Sequence, residues 1–208
     1  MTNANLWMPV LAYLLGSIPV GWIVARVFFK TDIRKQGSGN IGATNALRNF
    51  GTTVGIIVLL LDLLKGFLAV RIAGGIFGME SGLVTLCGLL AILGHVFPVW
   101  LKFRGGKGVA TAAGVFLALA PLSLAIALGL FVIIVALTRY VSLGSILAAL
   151  TFGVAVYLFE FQQYVQNWSK LLLITLVILM IIFKHRQNIG RLLKGNENRL
   201  TFTKKGNK

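Results

Sequence analysis

Seven long apolar stretches constrain the fold of this chain more than any other feature of its 208 residues. They cover residues 6–29, 53–73, 82–101, 109–120, 122–138, 141–159 and 169–184. A helix of roughly 20 apolar residues crosses the roughly 30 Å hydrocarbon layer of a bilayer, with about 17 residues as the lower limit. Most of the stretches meet that length. The sequence therefore predicts an all-α, polytopic integral membrane protein.

The composition excludes the other broad classes. Only 12% of the residues are charged and 57% are hydrophobic, whereas a soluble domain has about 25% charged residues. A water-soluble globular protein would need more charged residues at its surface than this chain has. A disordered chain would need low hydrophobicity. The single cysteine, Cys87, excludes a disulfide scaffold and is expected to be a small core residue.

One apolar stretch is too long for a single crossing. Val109–Thr138 contains 30 residues, which would form a helix of about 45 Å. Pro121 is the natural break, because proline lacks an amide hydrogen and clashes with the preceding turn. We therefore divide the stretch after Ala120, which leaves a short fourth span.

The basic residues predict the topology. The chain has 20 Lys and Arg against 5 Asp and Glu, a formal net charge of +15. Seven spans place 17 of the 20 basic residues on one side, which the positive-inside rule makes cytoplasmic. Six spans would put the basic tail after Phe183 outside. The prediction is seven transmembrane helices with the N-terminus outside and the C-terminus cytoplasmic; the uncharged first residues do not favour a signal peptide.

Three polar, glycine-bearing segments fall on the predicted cytoplasmic face. The first, GSGNIGATNALR, covers residues 37–48. Its small residues let backbone amides point at one anion, and hydroxyl, amide and guanidinium side chains complete the pocket. The alternative is a solvated loop capped by Ser38 or Thr44.

The second segment, FRGGKGVAT, covers residues 103–111. A helix is expected to begin after the glycines, where its N-terminus attracts phosphate and Lys107 adds a full charge. This is not a P-loop, because no glycine stands five residues before Gly106 and no Ser or Thr follows Lys107. The alternative is an ordinary basic turn.

The third segment, KHRQNIGRLLKGNE, covers residues 184–197. His185, Asn188 and Arg191 recur every three residues and would line one face of a helix. The alternative is a solvated basic tail attracted to anionic lipid.

Together the three segments resemble the cytoplasmic motifs of the bacterial membrane glycerol-3-phosphate acyltransferases that use acyl phosphate as donor. Residues 16–21 (GSIPVG) and 139–145 (RYVSLGS) are also similar to that family. The length, the seven spans and the outside N-terminus match as well. The resemblance covers nearly the whole chain and implies a single transmembrane acyltransferase domain over residues 1–208.

The resemblance implies an activity. A fatty acyl group would pass from acyl phosphate to the 1-hydroxyl of glycerol 3-phosphate, giving lysophosphatidate and phosphate, the first step of membrane phospholipid synthesis. Neither metal nor cofactor would take part. The enzyme would lie in the bacterial cell membrane with its site on the cytoplasmic face. Its partners would be the two substrates, membrane lipid and the enzyme that makes acyl phosphate, with no nucleic acid.

The resemblance also implies residue roles. Ser38, Arg48 and Lys107 fall where the family holds phosphate groups, and His185 and Asn188 fall at its polar positions near the reacting groups. These five form the expected catalytic set. The expected substrate contacts add a further six residues: Asn40, Thr44, Asn45, Gly105, Gly106 and Ser145. The two glycines among them would let the backbone come close to acyl phosphate.

A transporter for an organic phosphate is the rival function, because the same basic pocket could bind and move an anion. A transporter would place its site near the midplane, where Asp62 and Lys65 are the only charges. We expect these two to form a structural ion pair and His95 to have a packing or hydrogen-bonding role. The five acidic residues do not cluster in the sequence, which disfavours metal-dependent catalysis.

Overall fold

The computed structural model describes the backbone of residues 4–200 and the side chains of residues 7–162 and 165–200. Three basic residues of the predicted tail, Lys204, Lys205 and Lys208, lie outside this part. Within it the chain is all-helical, and its α-helices are α1 Ala4–Ser17, α2 Val20–Phe29, α3 Ala43–Phe50, α4 Thr52–Phe77, α5 Gly82–Val96, α6 Val109–Leu119, α7 Pro121–Thr138, α8 Val141–Ala155, α9 Phe161–Tyr164, α10 Trp168–Lys184 and α11 Arg186–Leu193. Short 3₁₀ turns cover Ile33–Lys35 and Val99–Leu101, and a π-helical turn over Val156–Glu160 extends α8.

Four helical segments are long and apolar enough to cross a membrane: α4, α5 with its 3₁₀ turn, α7, and α8 with its π turn. The pair α1 and α2 and the pair α10 and α11 raise the number to six if each bent pair is one span. The predicted fourth span, α6, has 11 residues and a length of about 16 Å. By length alone the described residues thus give four to six spans, and the count of seven stays a prediction.

Two helix breaks occur at prolines. The first apolar stretch is divided into α1 and α2, which meet at an angle of 42° next to Pro19. The Lys65 ammonium donates a hydrogen bond of 2.9 Å to the Ile18 carbonyl at this break. The break predicted at Pro121 is confirmed, since α6 ends at Leu119 and α7 begins at Pro121.

Paired glycines let α4 and α6 pack with their backbones in contact. A Cβ atom added to Gly66 would lie 2.2 Å from the Thr111 carbonyl oxygen, and one added to Gly114 would lie 1.9 Å from the Leu63 carbonyl oxygen. Small residues at crossings of this kind are typical of helices packed in lipid. The contact holds the start of α6, and the Lys107 segment before it, against the middle of α4.

Two short amphipathic helices, α3 and α11, lie at the end of the bundle that carries the polar segments. The sequence did not predict α3, whose residues were expected to form a loop. The chain after α11 folds back over this end, where the Leu200 amide donates to the Arg139 carbonyl (2.7 Å) and Arg48 Nη2 donates to the Asn198 carbonyl (2.9 Å). The first and third segments therefore meet the connection between α7 and α8.

Candidate active site

A cavity of about 150 Å³ lies where the three polar segments meet. Nine of the eleven predicted substrate-binding residues line it: Ser38, Asn40, Thr44, Asn45, Arg48, Lys107, Ser145, His185 and Asn188. Gly105 and Gly106 are not among its lining residues. The wall also includes apolar side chains of α4, α6 and α7, namely Leu59, Val109 and Phe131.

Asn45, in the first turn of α3, organises the first segment. Its side chain is buried, and Nδ2 donates to the backbone carbonyls of Ile33 (3.2 Å), Gln36 (3.1 Å) and Asn40 (2.8 Å). Its Oδ1 accepts a hydrogen bond from the Ser38 amide at 3.0 Å. The loop therefore occupies both polar ends of this side chain, and direct contact of Asn45 with substrate stays a prediction.

Ser38 stands between two glycines with left-handed backbone. Gly37 has φ +54° and Gly39 has φ +70°, conformations that other residues rarely adopt. A Cβ atom on Gly37 would also lie 2.4 Å from Asn45 Oδ1. The glycines thus let the loop fold tightly against α3 and present Ser38 to the cavity.

Arg48 brings an incompletely paired guanidinium to the cavity. Its Nη2 donates to the Asn198 carbonyl, but the buried Nε finds no hydrogen-bond partner among the residues that the structure describes. Burial lowers the pKa of Arg48, with Glu197 opposing and Arg191 adding to the effect; arginine nevertheless remains charged. A buried N–H without a partner is unfavourable, so this group is suited to an anion in the cavity.

Lys107 supplies the second cation. Its Nζ donates to Asn188 Oδ1 at 2.5 Å. Burial lowers the pKa of Lys107 to about 8; the Glu197 carboxylate opposes this change, and the Arg191 and Arg48 cations add to it. Lys107 is therefore charged at neutral pH and loses its charge as the pH rises through about 8.

Glu197 connects the residues around Lys107. Its Oε1 accepts hydrogen bonds from Asn188 Nδ2 (2.7 Å) and Ser142 Oγ (3.0 Å), and its Oε2 accepts one from Arg191 Nε (2.7 Å). Burial disfavours its charge, but these donors together lower the pKa of the Glu197 carboxyl. The ionised carboxylate orients the Asn188 amide so that its oxygen faces Lys107.

The sequence analysis did not assign a role to Glu197. The acidic residues do not cluster in the sequence, but two of them, Glu197 and Asp62, line the same cavity. They are 135 positions apart in the sequence, so the tertiary fold brings them to the same cavity. One sequence feature could have pointed to Glu197: it is the single carboxylate in the basic third segment, residues 184–197.

His185 lies in the non-helical joint between α10 and α11. Its Nδ1 is 2.8 Å from the Ile181 carbonyl oxygen, which assigns the ring proton to Nδ1 and leaves Nε2 as an acceptor. His185 and Asn188 both line the cavity, and Asn188 and Arg191 both contact Glu197. Ser145 Oγ donates to the Val141 carbonyl at 2.9 Å, within its own helix.

Gly105 and Gly106 pack the second segment against the end of α5. The Gly105 amide donates to the Val96 carbonyl (3.2 Å) and the Gly106 amide to the His95 carbonyl (3.0 Å). A Cβ atom on Gly106 would lie 2.0 Å from His95 Nε2. The glycines thus have a packing role, and their approach to acyl phosphate stays a prediction. Gly105 lines a second, more open cavity of about 560 Å³ with the cations Arg34, Lys35, Arg104 and Lys184.

The predicted ion pair of α4 is present, with Lys65 Nζ 2.9 Å from Asp62 Oδ1. His95 is buried, as expected, and its Nδ1 lies 3.4 Å from the same oxygen. Asp62 and His95 also line the cavity, which the sequence analysis did not predict.

Between residues 4 and 200, no group of three or more His, Cys, Asp or Glu is placed to hold a metal ion. Chemically, the cavity offers cations and N–H donors for an anion or a developing oxyanion.

Comparisons with known proteins give one consistent result. Residues 6–195 match the family model described as glycerol-3-phosphate acyltransferase. The chain is 50% identical to the glycerol-3-phosphate acyltransferase of Geobacter sulfurreducens, over 94% of this chain and 97% of that one. It is 44% identical to glycerol-3-phosphate acyltransferase 2 of Bacillus anthracis, over 94% and 99%.

Two solved structures are similar as well. They are crystal structures of PlsY (YgiH), an integral membrane glycerol 3-phosphate acyltransferase, in a glycerol 3-phosphate form and in a lysophosphatidic acid form. The TM-scores are 0.87 and 0.84, each with 39% identity. Each alignment covers 96% of this chain, and 96% and 97% of the respective PlsY chains.

Proposed function

The chain belongs to the glycerol-3-phosphate acyltransferase family, and on that premise we propose that it transfers a fatty acyl group from acyl phosphate to the 1-hydroxyl of glycerol 3-phosphate. It is an integral, multi-pass membrane enzyme that produces lysophosphatidic acid. The family membership favours the enzyme over the transporter. One observation carries the residue-level proposal: the side chains of three distant segments converge on a single cavity.

Substrate phosphate groups are bound by Arg48, Lys107 and Ser38. Arg48 Nε is buried without a hydrogen-bond partner among the described residues, and Lys107 Nζ has one side-chain acceptor, Asn188 Oδ1. Both cations have N–H groups to offer to phosphate oxygens, and bonds between charged partners are the stronger ones. Ser38, held between two glycines, donates its hydroxyl hydrogen to the same anion. Asn40, Thr44 and Ser145 line the surrounding wall.

The reaction is a direct attack. The 1-hydroxyl oxygen bonds to the acyl carbon, the bond from that carbon to the phosphate oxygen breaks, and a substrate phosphate oxygen takes the hydroxyl proton. His185 Nε2 can accept a hydrogen bond from the attacking hydroxyl, because Nδ1 carries the proton. Asn188, fixed by Glu197, completes the orientation of the reactants. Phosphate is a good leaving group, which lowers the demand for a strong acid.

The membrane arrangement is also proposed. The whole chain forms one domain of seven spans with the N-terminus outside, and the cavity opens on the cytoplasmic face of a bacterial cell membrane. The 17 basic residues on one side support this orientation. The fatty chain extends between helices from the apolar wall at Leu59, Val109 and Phe131. The donor arrives from the enzyme that makes acyl phosphate.

The test uses purified protein with labelled glycerol 3-phosphate and one donor at a time. Acyl phosphate alone should give labelled lysophosphatidic acid together with an equal amount of phosphate. Equal rates with an acyl thioester would contradict the proposed donor. The inactive control is the double variant Arg48→Ala and Lys107→Ala, which lacks both cavity cations; where it purifies with the melting temperature of the wild type, it should give no product.

A further inference from the structure

Three buried ionisable side chains meet where α4 packs on α5. Asp62 Oδ1 lies 2.9 Å from Lys65 Nζ and 3.4 Å from His95 Nδ1, and the three residues are 1%, 5% and 4% exposed. Burial of an ion pair costs free energy that apolar packing would avoid, so ionisable residues inside membrane helices are rare and point to a function. None of the three takes part in the proposed acyl transfer, and their neighbours indicate what they hold in place.

The His95 ring is fixed at both of its nitrogens. Nδ1 faces the Asp62 carboxylate, which assigns the ring proton to Nδ1. Nε2 lies against the backbone of Gly106, where an added Cβ atom would collide with it. The His95 carbonyl also accepts a hydrogen bond of 3.0 Å from the Gly106 amide. His95 therefore connects Asp62 to the residue that directly precedes Lys107.

The chain after Lys107 is held by the same helix. Thr111, in the first turn of α6, contacts Gly66 of α4 so closely that a Cβ atom on Gly66 would collide with the Thr111 carbonyl oxygen. Gly66 is four residues after Asp62, so these two residues lie on one face of α4. α4 thus fixes the chain on both sides of Lys107, through Asp62 before it and through Gly66 after it.

Resting on the proposed function, we propose that Asp62 and His95 are positioning residues that place Lys107 for binding of substrate phosphate. The Asp62 carboxylate orients the His95 ring, and the ring supports the Gly106 backbone. This support directs the Lys107 side chain to the cavity that it lines. Lys65 balances the charge of Asp62 within the bundle.

A double-mutant cycle tests whether His95 acts through Lys107. The measured quantity is kcat/KM for glycerol 3-phosphate at saturating acyl phosphate. His95→Leu removes the contact with Asp62 at similar side-chain volume and leaves the pair of Asp62 and Lys65 intact. With Lys107 present it should lower kcat/KM by about tenfold, within the range of coupling between residues of one network. In the Lys107→Ala background it should lower kcat/KM by less than about twofold, because the positioned group is already absent.

Two further variants separate positioning from loss of structure. His95→Asn keeps an N–H donor close to the place of Nδ1 and should restore part of the lost kcat/KM. If His95→Leu does not purify, His95→Asn carries the same cycle with a smaller effect. The matched control is Cys87→Ala, which removes a fully buried group of α5 two turns before His95. It should lower the melting temperature and have the same effect on kcat/KM with and without Lys107.

Equal losses from the His95 variant with and without Lys107, in an enzyme that makes lysophosphatidic acid from acyl phosphate, would overturn the positioning proposal while the proposed function stands. A wild type that makes no product from acyl phosphate would overturn the proposed function. The cycle is then measured on the Kd of glycerol 3-phosphate by calorimetry, which needs no donor. A loss confined to the background with Lys107 supports the positioning proposal; equal losses in both backgrounds, or no binding, overturn it.

Discussion

At the scale of single residues, the cavity is unusual in holding two half-buried cations with few acceptors around them. Asn198 and Asn188 each accept one hydrogen bond, from Arg48 and Lys107 respectively. Glu197, the nearest carboxylate, is occupied by Asn188, Ser142 and Arg191. The positive charge that remains is suited to the phosphate groups of both substrates.

Removal of either cation should weaken transition-state binding. Arg48→Ala and Lys107→Ala should each lose at least about 2 kcal/mol, or roughly 30-fold in kcat/KM, the low end for a charge-assisted bond to a buried group. Lys194→Ala is the control, because Lys194 is an exposed lysine near the same end of the bundle. Steady-state kinetics at matched protein levels measure the effect. Near-wild-type values in both cavity variants would mean that these charges serve topology only.

The pH dependence should report on Lys107. Below its pKa of about 8 the side chain is charged, and above that value the charge is lost, so the proposed affinity for phosphate should be lost with it. In the wild type, kcat/KM for glycerol 3-phosphate should fall as the pH rises through about 8. Lys107→Arg should remove this fall, because arginine stays protonated. Glu197→Gln should move the fall to lower pH, since the Glu197 charge raises the Lys107 pKa.

A profile that is the same in Lys107→Arg and in the wild type would contradict this assignment. Substrate ionisation is not a competing cause, because a phosphate monoester has its second pKa near about 6. The acyl phosphate concentration is kept saturating, so that the measured kcat/KM depends on glycerol 3-phosphate and not on binding of the donor.

Ser38 should not form an acyl-enzyme. No described hydrogen bond joins its hydroxyl to a histidine, and a serine nucleophile requires a base beside it. Intact-protein mass spectrometry after addition of acyl phosphate without glycerol phosphate should show no acylated protein. Activity should also survive EDTA and thiol-blocking reagents, because Cys87 is fully buried. A covalent acyl-Ser38 adduct that turns over at the rate of catalysis would show direct attack to be wrong.

At the scale of helices, the apolar pattern predicts positions well where lipid forces the backbone to be helical. The stretch predicted at 122–138 is α7, and the one at 169–184 is α10; each helix begins one residue earlier than predicted and ends at the predicted residue. α3 could not be found in this way, because its eight residues include two asparagines, a threonine and an arginine. Tertiary contacts stabilise it: the hydrogen bonds of Asn45, and Phe50 stacked on Phe29 with ring centroids 4.3 Å apart.

The glycine contacts between α4 and α6 predict a stability effect. Gly114→Ala places a methyl group where the Leu63 carbonyl oxygen stands, 1.9 Å from the new Cβ, so the two helices must separate. Overpacking of this kind costs about 1–3 kcal/mol, and the melting temperature in detergent should fall. Gly129→Ala in α7 is the matched control, since a Cβ atom there meets nothing within 4 Å. Equal melting temperatures for the two variants would contradict the close packing.

At the scale of the whole molecule, the convergence of the three segments was predictable and its details were not. Counting spans and charges places all three segments on one face, which suffices to expect a shared pocket. The contact of Lys107 with Asn188 joins residues 81 positions apart, and that of Ser142 with Glu197 joins residues 55 apart. Such pairs depend on how α8 and α11 pack. The 3.4 Å contact between Asp62 and His95 likewise becomes visible only when α4 and α5 are assembled.

The topology depends on α6. With 11 residues it is about 16 Å long, yet it must cross the membrane if the basic tail is to be cytoplasmic. If α6 entered and left on the same face, α7 would start from the cytoplasmic side, and the following connection would carry Arg139 outside. The next two spans, α8 and α10, would return the chain to the cytoplasm and then carry the tail outside as well, against the positive-inside rule. We therefore expect α6 to cross, with the segment packed on the end of α5 extending its reach.

Single cysteines in a Cys87→Ala background test this expectation with an impermeant thiol reagent on intact cells and on inverted vesicles. Lys102→Cys lies before α6 and Leu122→Cys after it, and both positions are exposed. They should be labelled from opposite sides, Lys102→Cys from the cytoplasmic one. Gln187→Cys in α11 and Gln166→Cys before α10 provide a reference pair on either side of α10, and they too should be labelled from opposite sides. Labelling of Lys102→Cys and Leu122→Cys from the same side, with the reference pair behaving as expected, would make α6 re-entrant and reduce the spans to six.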